Sequence, residues 1–181
     1  MRIHTATITR LRDALLQSGR RPSIVLSPAY ETLARSGLLS PEETAAVERI
    51  DPLAETLYLM MTADGSVSEI EKDALRGAIR GLADNLIRTG TINVMLETFG
   101  QKLHEHGREM RLQEIADALS DNPLEAEAAF SLAAAIALAD DSVHESENEF
   151  INQLAEWFGI SAKRANEILD ELEQDQDIDD S

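Results

Sequence analysis

The sequence predicts an all-α protein, a helical bundle of paired αα-hairpins with an approximate internal two-fold repeat. Three observations lead there. Apolar residues recur at helical spacing while strand alternation is nearly absent. Helix start signals recur along the chain. The acidic stretch TADGSVSEIEKDAL at 62–75 is also written again as LADDSVHESENEFI at 138–151. Ala63, Asp64, Ser66, Val67, Glu69 and Glu71 meet Ala139, Asp140, Ser142, Val143, Glu145 and Glu147, which is six identities in nine positions. Chance does not explain that density, so the repeat organises the reading.

The elements follow in order. Residues 1–45 read as an Arg-rich arm with one or two short helices. In SPEETAAVERI, Ser40 is placed as N-cap, Pro41 at the first helical position and Glu43 two further on, a complete start signal. Helices are expected over Leu53–Ala63 and Ser68–Leu82. In the second, Ile70, Ala74, Leu75, Ala78, Ile79 and Leu82 form an apolar stripe. Thr91–His106 and Arg108–Leu119 read as two helices split near Gly107. Asn122, Pro123 and Glu125 repeat the start grammar ahead of AAFSLAAAIALA, whose small residues permit close helix approach. Phe150, Ile151, Leu154, Ala155 and Phe158 form the matching stripe of the second copy. Trp157 and Phe158 are expected in the core. WFGI stops that helix at Gly159, and Ser161 caps a last one over Ala162–Leu172. The main domain is therefore 46–172, with repeats near 53–82 and 123–158. The segment 173–181, EQDQDIDDS, reads as an acidic disordered tail.

Composition narrows the function. The net charge is -18 and the pI about 4.4, so the surrounding field repels phosphate and nucleic acid is not an expected partner. Aromatic residues, at 4%, are too few for a base-stacking surface. Charge is uneven, however: the first 21 residues hold Arg2, Arg10, Arg12, Arg20 and Arg21 against Asp13. Those arginines solvate a first helix or pair with the protein's own acids, or else contact a membrane surface or an acidic partner. The absence of cysteine excludes disulfides, thiolate nucleophiles and thiol redox chemistry. No apolar signal region opens the sequence, and the longest apolar run is too short to span a bilayer. The expected location is cytoplasmic, with peripheral association at the inner membrane as the variant that the arginines allow.

The two acidic turns carry two readings. As caps, Ser68 with Glu71 and Ser142 with Glu145 make S-x-x-E capping boxes, and acids near a helix start complement its dipole. As a cation site, Asp64, Glu69 and Glu71 in one turn and Asp140, Asp141, Glu145 and Glu147 in the other supply the clustered oxygens that Ca2+ or Mg2+ requires. If the two turns share one end of the bundle, their repulsion is costly without a cation. DGSVSEIE copies the second half of an EF-hand loop, but the first and third ligand positions fall on Met60 and Thr62, so a true EF-hand is not expected. His104 and His106 diverge on a helix and read as a solvated helix end. His144 could join the second turn, where its counterpart is Ser68. No P-loop, G-x-S-x-G or H-E-x-x-H stretch is present, and the expectation is no enzyme.

The repeated A-D-[GD]-S-V-x-E-x-E, with WFGIS closing the second copy, resembles the TerB-like family, which contains tellurite-resistance proteins and the N-terminal region of the membrane-anchored co-chaperone DjlA. The likeness is strongest over 50–172. It implies an all-helical fold of paired hairpins, an acidic divalent-cation-binding surface, and association with stress-response or membrane-linked protein partners. By position, Asp64, Glu71, Asp140 and Glu147 match best, with Glu69 and Glu145 in support. Asp141 stands where the family has glycine, and Asp accepts a positive φ less readily. Tellurite reduction itself is not expected, for want of a thiol or a dinucleotide fingerprint. The alternative to a cation module is a purely structural interaction module whose acidic face docks a basic partner without metal.

Overall fold

A computed structural model describes residues 5–18, 39–63, 65, 67–139 and 145–179. Among them all regular structure is helical: α1 Thr5–Ser18, α2 Pro41–Met61, α3 Glu69–Leu82, α4 Thr89–Leu119, α5 Pro123–Ala139, α6 Glu145–Trp157 and α7 Ala162–Asp179. The predicted all-α class is the observed one. The two hairpins exist as α2 with α3 and α5 with α6, and they meet along α2 and α5. The two-fold relation between them is a property of the sequence pattern alone.

Burial follows from composition. From Ile50 to Leu57 every residue of α2 is buried, whichever way it points, and so is every residue from Ala128 to Ala137 in α5. A helix buried all round belongs at a centre rather than on a face. Accordingly α2 packs against α3, α4 and α5, while α5 also packs against α1, α6 and α7. Phe130 of α5 and Phe99 of α4 are the largest fully buried side chains, each worth about 1.5–3 kcal/mol removed from water. Helix α1 lies against α3, α5 and α7. At Gly81 of α3 an added Cβ would stand 2.7 Å from Ile8 Cγ2, so glycine sets how closely α1 approaches.

Most boundaries fall where the capping chemistry puts them. Ser40 Oγ accepts from the Glu43 amide, Ser68 and Glu71 close a full capping box, and Ser161 Oγ accepts from the Arg164 amide. Gly159 takes φ 67°, and the Ile160 amide turns back to the Ala155 carbonyl, a left-handed glycine end to α6. After α3 the chain turns through Asp84 and Asn85 at φ 53° and 59°, among the few side chains that tolerate that region. The break foreseen near Gly107 is real: α4 is two helical segments joined at φ 78°, ψ 163°.

Four features depart from the sequence reading. The segments expected on either side of Pro52 form one continuous helix. Proline removes the amide that would bond the Glu48 carbonyl, but burial on all sides of α2 outweighs that loss. Helix α7 runs beyond Leu172 to Asp179, because no Gly or Pro follows to stop it. Ile70, placed in the stripe of α3, is 74% exposed, since it lies at the stripe's edge in the first turn. Trp157 is likewise exposed rather than core, for Phe150 and Leu154 already fill the inward face of α6, and Phe158, just past the helix, is half-buried.

Candidate functional site: the acidic turns

The first turn is built from the end of α2. Thr62 closes the helix, its amide and hydroxyl both donating to the Tyr58 carbonyl. Gly65 sits at φ 99° and its amide returns to the Thr62 carbonyl at 3.0 Å. Ser68 then opens α3: its amide donates to Glu71 Oε2 at 2.7 Å, and the Glu71 amide donates to Ser68 Oγ at 3.2 Å. Glu69 is exposed and pairs with Lys72 at 3.1 Å. Thus Glu71 serves as a cap with one oxygen and Glu69 carries a neighbouring ammonium. Asp64, Asp140 and Asp141 lie outside the described residues, as does His144. Glu145 and Glu147 stand in the first turn of α6, and their side chains are outside the description too. Among the described residues no three His, Asp or Glu side chains gather as metal ligands; five of the seven candidate carboxylates fall outside that statement.

A residue that the sequence did not single out ties this region together. Immediately after the Gly107 break, the Arg108 guanidinium donates to the Leu59 carbonyl, and to the Thr62 carbonyl at 2.8 Å and hydroxyl at 3.2 Å. Those carbonyls belong to the last turn of α2, which lacks helical donors of its own. The same guanidinium lies 5.3 Å from the centre of the Phe150 ring in α6, within cation–π range. Desolvation lowers the Arg108 pKa without neutralising it. The helix that leads into the first turn and the helix that follows the second therefore meet at one side chain.

Further along α4 a buried ion network was also unforeseen. Arg111 donates to both oxygens of Glu55 at 2.6 and 2.9 Å, with both residues buried, and Nη1 also contacts Glu114. Asp51, one turn before Glu55, is buried with Oδ1 unpartnered, and burial pushes its carboxyl up to about 7. Glu43 is buried as well. It leaves its own helix start and accepts from the Arg88 amide at 3.0 Å, Arg88 Nε at 2.9 Å and the Thr91 hydroxyl at 2.6 Å. Burial works to raise its pKa, but these donors outweigh it and hold the carboxyl below its ordinary value. A carboxylate inside an apolar run, such as Glu55 in DPLAETLYLMM, was the signal available: a buried charge requires a partner.

The N-terminal arginines that are described pair within the protein, Arg10 with Glu171 of α7 at 3.1 Å and Arg12 with Asp84 at 3.3 Å. Arg2, Arg20 and Arg21 lie outside the described residues. His104 and His106 are exposed, as their spacing predicts. No helix among the described residues is long and apolar enough to cross a membrane.

The fold defines a helical-hairpin module, in which the two central helices, α2 and α5, each precede an acid-rich stretch of sequence. The family whose sequence model matches is described as tellurite resistance protein TerB, over residues 50–170. The chain belongs to that family. Comparison with curated proteins and with solved structures finds no match.

Proposed function

We propose that this TerB-family chain is a non-enzymatic, stress-linked module that binds a divalent cation, Ca2+ or Mg2+, at its acidic turns and presents the loaded surface to protein partners in the cytoplasm. The observation that carries the reading is the meeting of the two hairpins at Arg108, which holds the Thr62 end of α2 while lying over Phe150 of α6. We read the acids of the two turns as sharing one electrostatic environment, a reading that this junction between their flanking helices and the density of acids in both stretches support. A hard cation is the natural neutraliser of that environment. Asp64, Glu69, Glu71, Asp140, Asp141, Glu145 and Glu147 are the proposed ligand pool. The absence of cysteine and of nucleotide or hydrolase motifs supports a binding rather than a catalytic role.

A second reading rests on its own observation. Glu71 is engaged in a capping box and Glu69 in an ion pair with Lys72, so the acids could serve helix ends and the docking of a basic protein with no metal. Isothermal titration of metal-stripped protein with Ca2+ and Mg2+, beside the Asp64→Ala/Asp140→Ala variant, separates the two. Saturable binding that the variant loses supports the cation module. Absence of binding by both heat and metal-dependent melting leaves the docking module.

A further inference from the structure

We propose that the second segment of α4, residues 108–119, is a pH-operated latch on α2, hinged at Gly107 and worked by the buried Asp51. The hinge is a backbone break, φ 78° and ψ 163°, between two otherwise regular helical segments. Beyond it the segment is held to α2 by Arg108 on the Leu59 and Thr62 carbonyls and by Arg111 on Glu55. Leu112, Ile115 and Leu119 complete its buried face. Asp51 stands within this joint, 5% exposed, with Oδ1 accepting no hydrogen bond.

The charged groups that act on Asp51 are few. Lys102 acts from the first segment of α4, Arg111 from the second, and Glu55 from the next turn of α2. Arg111 is already committed to Glu55 and Glu114. A neutral Asp51 makes no demand on these cations and the joint stays shut. An ionised Asp51 requires one, so it draws on Arg111 in competition with Glu55 or pulls Lys102 inward. Either change loosens the clamp, and swinging the segment out at Gly107 returns the carboxylate to water.

The direction of the pH effect follows by linkage. In the closed joint Asp51 keeps its proton up to about pH 7, whereas in the open joint it titrates like an ordinary carboxyl, near 4. The closed form therefore binds more protons between those values. Closure weakens as pH rises from about 4 to about 7, at up to tenfold per unit, and levels off above.

Hydrogen exchange of the wild-type protein at pH 5 and 7.5, corrected for intrinsic rates, tests this. The expected result is a fall in protection of some tens-fold across 108–119, with α5 amides over 128–137 unchanged. In Asp51→Asn, which fixes the neutral form, the fall should vanish. A flat wild-type profile, or an equal fall in the variant, overturns the proposal. The carboxyl carbon resonance of Asp51 in the wild type provides a check that needs no variant. A midpoint near 7 supports the latch, and a midpoint below 5 overturns it.

Discussion

Glu43 shows how a single carboxylate can serve a helix other than its own. Its place after Ser40 and Pro41 marks a helix start, yet its side chain spans to the beginning of α4, where Arg88 supplies no side-chain cap. There it takes the Arg88 amide and the Thr91 hydroxyl, binding α2 to α4 at their starts. Replacing it by glutamine should cost about 1–3 kcal/mol at pH 7, since buried donors would lose a charged acceptor. Because the folded carboxyl titrates below its ordinary 4.5, this stability is present above the unfolded value and is lost as pH falls through the folded one. Urea melts at pH 7 and pH 3 should therefore show a large and a small difference from wild type. Asp51 has the opposite sign. Its raised carboxyl destabilises the ionised fold, so the stability of Asp51→Asn relative to wild type should rise by roughly 2–4 kcal/mol between pH 4 and pH 7, read from the same melts.

At the scale of elements, the break in α4 and the end of α2 form one construction. Gly107 turns the chain so that Arg108 reaches the carbonyls at the end of α2. Gly107→Ala puts a Cβ into a positive-φ position, at a cost of about 1–3 kcal/mol. Arg108→Gln gives up charge-assisted bonds of similar worth. Each should lower the melting temperature by several degrees. Arg108→Lys, which cannot fork between two carbonyls, should recover only part of the loss. Gly107 was legible as a break because glycine is the one residue indifferent to that φ. Ser40, Ser68, Gly159 and Ser161 were legible because capping is chemistry between near neighbours. The reach of Glu43, Arg108 and Arg111 across 45 to 56 positions was not, since nothing local marks which of several charged residues will turn inward. Pro52 marks the same limit of local rules: it removes one helix bond, yet the packing of α2 on every side overrides that loss.

Across the whole molecule the governing quantity is charge. At -18 the folded chain repels itself, so added salt should raise its melting temperature by screening. If the turns bind cations, CaCl2 should raise it further than NaCl at matched ionic strength, because a ligand that binds only the folded state stabilises by mass action. Equal shifts would mean screening alone. The sequence exposed the acidic turns through their repetition, while the contact between their flanking helices is made by Arg108 and Phe150, residues that repeat nothing. The central claim is that both turns take part in one cation site. Its most direct test is a Ca2+ titration of the metal-stripped protein followed by amide proton–nitrogen NMR. The account predicts saturable shifts with one shared midpoint over 62–71 and 139–147, both abolished in Asp64→Ala. Shifts absent from both turns, or confined to one of them, would contradict it.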